Sequence, residues 1–173
     1  MPRRRSEQAL YRPVADWFRD YLAQIRPRGS VTVLHHCHAR KLGSVIDAEG
    51  FSSSFPAASS WEVRVDVVGF RKRPDVVRLG FVEVKVRPIT LLDIGQLWGY
   101  SQICQPLCSF LVSPEGLSTE LERLLRSYGR EDVLNYAGGK IQVGRWNTDR
   151  HSFDWSTAIP GGPLPDCSKP VRP

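Results

Sequence analysis

Apolar residues recur along the chain with two different periods, and those periods divide it into elements. From Ser6 to Ile25 the stripe Leu10, Val14, Trp17, Tyr21, Leu22 and Ile25 keeps helical spacing. Pro13 falls inside this stripe. A proline past the first turn removes a backbone bond, so the helix is expected to bend at Pro13 or begin there. Val31–His36 reads as a strand, and Leu42–Ala48 as a second strand or a continuation of the first. The serine- and alanine-rich run 51–60 (FSSSFPAASS) reads as a loop. Alternation resumes over Trp61–Phe70 and Val77–Arg87, two strands joined by Arg71-Lys72-Arg73-Pro74-Asp75, with Pro-Asp as the turn signal. Ile89–Ile103 predicts a helix in which Thr90 and Asp93 form a capping box, ended by Pro106. Leu107–Val112 predicts a short buried strand. Ser118–Tyr128 predicts a helix with Leu121, Leu124, Leu125 and Tyr128 on its inner stripe and Gly129 at its end. Lys140–Trp146 and Ser152–Trp155 are further strand candidates. From Thr157 onward the chain carries five of its 13 prolines and a Gly-Gly pair, which predicts an unstructured tail over 157–173. The whole reads as one α/β domain over 6–156, a mixed β-sheet flanked by helices, behind a basic arm at 1–5.

Composition narrows the partners. The chain has 173 residues, enough for a full core without staples, and a net charge of +6 that favours polyanions such as nucleic acid. No apolar run approaches the ~18 to 20 residues needed to span a bilayer, and no apolar region follows the basic N-terminus as in a secretory signal. Four cysteines, Cys37, Cys104, Cys108 and Cys167, are too few and scattered for a disulfide framework. They read as reduced, and the protein as cytoplasmic.

The two central strands carry the chemistry. In the first, Val63, Val65 and Val67 share one face, while Glu62, Arg64 and Asp66 share the other. In the second, Val82, Val84 and Val86 line one face, while Glu83, Lys85 and Arg87 line the opposite one. A hairpin centred on Pro74 and Asp75 sets Asp66 directly across from Glu83, with Cβ atoms roughly 4.5 to 5.5 Å apart. Two carboxylates at that separation repel unless a cation lies between them, and oxygen ligands suit magnesium or manganese. Asp66 and Glu83 could hold such an ion, with the Val84 carbonyl as a further ligand. Lys85 could hold the attacking hydroxide or contact a phosphate. A lone Glu-x-Lys is common on half-buried hairpins. Two features distinguish this one: the flanking valines and the aspartate at the matched position.

The run Asp66 … Glu83-Val84-Lys85, followed by a helix bearing Gln96, resembles the PD-(D/E)XK nuclease superfamily. That superfamily has an α-β-β-β-α-β core and includes restriction endonucleases, junction resolvases and RecB-type nucleases. The resemblance covers roughly Glu7 to Val112, and Val65 stands where the motif has its proline. It implies a restriction-endonuclease-like core and a deoxyribonuclease using Mg2+ or Mn2+, with Asp66 and Glu83 as metal ligands and Lys85 as the catalytic lysine. Glu7 would match the acidic residue many members place on the first helix. Gln96-Leu97-Trp98-Gly99-Tyr100 resembles the Q-x-x-x-Y motif of the RecB-type branch, and helical spacing puts Gln96 and Tyr100 on one face. A catalytically silent nucleic-acid-binding module, or a nuclease subunit of a defence or repair assembly, is the alternative. DNA is the expected partner, with RNA not excluded, and a homodimer would serve two strands.

Other features weigh less. His35-His36-Cys37-His38 would present His36 and His38 on one strand face, but no partner cluster stands at zinc-finger spacing. Iron–sulfur relatives of the RecB type place three cysteines after the nuclease core, whereas here only Cys167 follows it. Arg3, Arg4 and Arg5, and Arg71, Lys72 and Arg73 at the hairpin tip, could track phosphates or be solvated charge runs.

Overall fold

The computed structural model describes residues 6–25 and 29–161. Arg3, Arg4, Arg5 and Cys167, singled out above, lie outside the described residues. The elements are helix α1 (Gln8–Ile25), strand β1 (Ser30–His35), helix α2 (Leu42–Ala48), strands β2 (Val67–Arg73) and β3 (Val76–Val84), helix α3 (Leu91–Cys104), strand β4 (Cys108–Ser113), helix α4 (Thr119–Glu122) and strands β5 (Asn135–Tyr136), β6 (Gly139–Asn147) and β7 (Ser152–Phe153). They form a mixed α/β fold with one seven-stranded sheet in the order β1-β2-β3-β4-β6-β5, β7 pairing with β6. The pairs β1–β2 and β2–β3 are antiparallel, and β3–β4 and β4–β6 are parallel. Every residue of β4 is buried, as a central strand covered on both faces requires.

Each face of the sheet has its own core. On one, Leu10, Val14, Phe18 and Leu22 of α1 pack on Val67, Val82, Val84, Phe110 and Trp146. On the other, residues of α2, α3 and α4 such as Val45, Ile94, Leu97 and Leu121 pack on Val68, Phe70, Leu79 and Phe81. Glycine sets how closely α1 can approach. Gly69 and Gly80 are directly opposed on β2 and β3. A Cβ at Gly69 would sit 2.5 Å from Leu22 Cδ1, and one at Gly80 would sit 2.8 Å from Phe18 Cζ. The helix therefore rests on bare backbone at that point. α1 runs unbroken through Pro13, and the carbonyl left without its partner, that of Ala9, belongs to an exposed residue that water can reach. None of the described helices is long and apolar enough to cross a membrane.

Several expectations need correction. The segment 42–48 is a helix, not a strand: Leu42, Val45 and Ile46, at i, i+3 and i+4, are its buried residues. The strand expected from Trp61 pairs only from Val67. Before that, Val63 and Val65 are buried while Trp61–Val65 runs outside the ladder. The strand expected to reach Arg87 ends at Val84. The helix expected over Ser118–Tyr128 keeps regular form only to Glu122, then widens into a π-turn over Arg123–Ser127, and Tyr128 is 69% exposed rather than on the inner stripe. The expected tail begins too early: Ile159 is buried and exchanges backbone hydrogen bonds of 2.9 and 2.8 Å with Val143.

Candidate active site

The β2–β3 register is the one the turn at Pro74-Asp75 predicts: Arg73 lies across from Val76, and the ladder closes at Val67 across from Val82. One step further, Asp66 and Glu83 meet at the open end of the hairpin, 4% and 5% exposed. Three elements converge on Asp66. Its Oδ2 accepts the Val84 N–H at 2.9 Å. The Tyr11 hydroxyl, from α1, hydrogen-bonds the same carboxylate. Oδ1 lies 3.6 Å from His38 Nδ1, in the turn after β1, and the Asp66 carbonyl accepts the Cys37 N–H at 3.1 Å. Burial and the Asp66 charge push the Tyr11 hydroxyl far up, so it stays a donor.

Glu83 is held differently. Its Oε1 accepts Lys85 Nζ at 2.8 Å and the Asp66 N–H also acts on the carboxylate, while Oε2 is buried and has no hydrogen-bond partner. Burial, and after it the Asp66 charge, raise the Glu83 carboxyl to about 7 against the opposing pull of the Lys85 ammonium. Burial disfavours the charged form of Lys85, but Glu83 and Asp66 outweigh it and keep its pKa above the ordinary value. Lys85 is therefore an ammonium at neutral pH, a donor and a positive charge rather than a base. Because both polar groups of a strand residue point to the same neighbour, the Val84 carbonyl turns toward Asp66 along with its N–H.

The other expected residues divide. Glu7, half-buried just ahead of α1, lies close enough for its charge to raise the pKa of Tyr11 and Lys85. Gln96 and Tyr100 share a face of α3, as expected, but their hydrogen bond is to each other at 3.4 Å and neither bonds to the carboxylates. Arg87 leaves the group entirely, because Asp93 takes its guanidinium at 2.7 and 2.8 Å. Arg71, expected as a surface phosphate contact, is 5% exposed, while Lys72 is exposed and Arg73 half-buried.

The sequence pattern does not single out Tyr11, and it ties His38 to zinc or a strand end near DNA rather than to Asp66. A signal for Tyr11 existed: it lies four residues after Glu7, one helical turn further along the same face. The strand that would set His36 and His38 on one face does not extend that far. The strand stops at His35, His36 turns into the left-handed region (φ 60°), and Cys37 is buried with its thiol raised to about 11. Among the described residues, no three His, Cys, Asp or Glu side chains group as a ready-made metal cage. Cys37, Cys104 and Cys108 are buried, and none of the three is in a disulfide.

No protein-family model, no curated protein and no solved structure matches this chain.

Proposed function

We propose that the protein is a magnesium- or manganese-dependent nuclease that hydrolyses DNA phosphodiester bonds between Asp66, Glu83 and Lys85. The observation that carries this reading is Glu83 Oε2, a buried carboxylate oxygen with no partner, beside a second carboxylate and an ammonium. A buried acceptor left unsatisfied costs about 1–3 kcal/mol, more if charged, so a cation there would relieve a real cost. Asp66, Glu83 and the Val84 carbonyl fit such an ion. Magnesium is usually held by one or two carboxylates, with water and phosphate oxygens completing its shell, so a three-side-chain cage is not required.

When bound, the ion would polarise the phosphate and lower the pKa of an attacking water. The rest falls to the chain. Glu83, with a pKa near 7, gives up its proton on loading and keeps one oxygen on Lys85. The Lys85 ammonium orients the water or offsets the charge growing on the phosphate oxygens. Tyr11 and the Val84 N–H fix Asp66. Water's oxygen bonds to phosphorus and gives up a proton to solvent as the ester bond breaks, and the departing oxygen takes a proton from solvent.

The chain order α1-β1-β2-β3-α3-β4, with α2 inserted after β1, supports a restriction-endonuclease-like core. Three buried reduced thiols suit the cytoplasm. A homodimer would bring the second such site that a double-strand break needs.

One observation favours a catalytically silent DNA-binding module: both Asp66 oxygens already have close neighbours. Incubation of linear, nicked, branched and single-stranded DNA with Mg2+ or Mn2+ separates the two readings. The nuclease cuts at least one substrate, and Lys85→Ala does not. Calorimetric metal binding with no cleavage of any substrate would leave only the silent module.

A further inference from the structure

We propose that Arg12, Arg40 and Arg64 form the track that holds the phosphate backbone of DNA beside Asp66, and that the hairpin tip does not. The identity of the polyanion rests on the nuclease reading; the choice of residues rests on geometry. Each arginine stands one or two residues from a group at the Asp66 carboxylate. Arg12 follows Tyr11, whose hydroxyl bonds Asp66. Arg40 is two residues beyond His38, whose Nδ1 lies 3.6 Å from Asp66. Arg64 is two residues before Asp66 itself, and its Nη1 reaches back to the His38 carbonyl at 3.3 Å.

Ion pairing sets these three apart from the other cations nearby. Lys41 is held by Glu62 at 2.9 Å, Arg19 by Asp16 at 2.8 Å, Arg87 by Asp93 and Lys85 by Glu83. Arg12, Arg40 and Arg64 are exposed, and none forms an ion pair with another described residue. A guanidinium outside an ion pair keeps its charge for phosphate, which it can grip through two bonds at once, and Arg64 still has donors left beyond the one it gives the His38 carbonyl. The exposed rings of His35 and His36 have centroids 4.7 Å apart, His36 lies 6.3 Å from His38, and the Arg12 charge acts on His35.

The rival surface is the hairpin tip, where Lys72, Arg73 and Arg78 cluster around buried Arg71. These positions lie four to six ladder steps from Val67, roughly 14 to 20 Å along the strands. A strand whose scissile phosphate sits at Asp66 meets Arg12, Arg40 and Arg64 within its nearest nucleotides and would have to run the length of the hairpin to reach the tip.

The test measures binding of a fluorescent DNA duplex by anisotropy over a range of salt concentrations, with EDTA present so that cleavage plays no part. Each phosphate contact contributes roughly 0.9 to the slope of log affinity against log salt. The combined Arg12→Ala, Arg40→Ala and Arg64→Ala variant should weaken binding and lower that slope by about 2 to 3. The Lys72→Ala, Arg73→Ala and Arg78→Ala variant should change it by less than about 1. Thermal melting checks folding, and Arg40→Ala alone, on an exposed turn, should still lower the slope by about 1. An unchanged slope in the first variant, an equal or larger loss in the second, or no duplex binding by the wild type would each overturn the assignment. Tighter binding of an RNA duplex would overturn DNA as the partner. Failure to cleave with binding intact would count against the nuclease reading alone.

Discussion

Two buried carboxylates, ten residues apart in the chain, each face a cation, and they are treated in opposite ways. Asp93, in the first turn of α3, uses both oxygens: Oδ1 accepts from Arg87, and Oδ2 accepts from Arg87, the Thr90 N–H and the Thr90 hydroxyl. Burial works against its charge, but Arg87 and Thr90 outweigh it and hold the carboxyl below its ordinary range. Glu83, near the end of β3, has Oε1 on Lys85 and Oε2 without a hydrogen-bond partner, and its pKa moves up although the Asp66 N–H and Lys85 both favour its charge. A cation partner alone does not make a buried acid structural. Completing its hydrogen bonds does, and an acid left incomplete retains the capacity to take a proton or a metal.

Breaking each pair should therefore give different losses. The largest effect is expected from Lys85→Ala, which should lower cleavage about 10²- to 10³-fold, as loss of one transition-state donor does, while Glu83 takes up a proton in place of its lost partner and so limits the loss of stability. Asp93→Ala should do the reverse. It removes the capping box and strands Arg87, which is 51% exposed and can turn to water, so a loss near 2 kcal/mol is expected in denaturant unfolding.

The pH dependence separates the two acids by sign. Glu83 binds more protons folded than unfolded between about 4.5 and about 7, so the stability of metal-free protein should fall as the pH rises through that window. Glu83→Gln should flatten that fall. Asp93 acts oppositely: its contribution is present above its unfolded value, near 3.8, and is lost as the pH drops through its lower folded value. Urea titrations from about pH 2 to about pH 8 would show both limbs. A rising limb between about 4.5 and 7 would contradict the account of Glu83.

The smallest effect is expected from Tyr11→Phe. It keeps the ring against His36 and His38, at centroid distances of 4.9 and 5.3 Å, and removes only the bond to Asp66. Metal affinity should fall about tenfold, the lower end for loss of a group that orients a ligand. Unchanged affinity would make Tyr11 a packing residue.

The legible parts of this site were those fixed by short-range chemistry. Pro74-Asp75 set the hairpin register, which carried Asp66 to Glu83, and Thr90 with Asp93 announced the start of α3. Parts that depend on how distant elements dock were not legible. Tyr11 reaches Asp66 only because α1 lies flat on Gly69 and Gly80, and periodicity shows which face of a helix is apolar but not where it comes to rest. Segment 42–48 was ambiguous because seven residues with three apolar positions fit either period. Val63 and Val65 alternated as a strand does, yet burial without a ladder partner satisfies the same pattern. Gln96 and Tyr100 share a face, as spacing required, but spacing did not say that they would bond to each other rather than to the acids.

The claim on which the rest depends is that the partnerless oxygen of Glu83 marks a cation site. Calorimetric titration of Mg2+ and Mn2+ into the protein at neutral pH, repeated in buffers of different ionisation enthalpy, tests it directly. One ion per chain should bind with release of part of a proton, and both the binding and the proton should be lost in Glu83→Gln. A wild-type protein that binds neither ion, or a variant that binds as tightly as the wild type with the same proton count, would contradict the account.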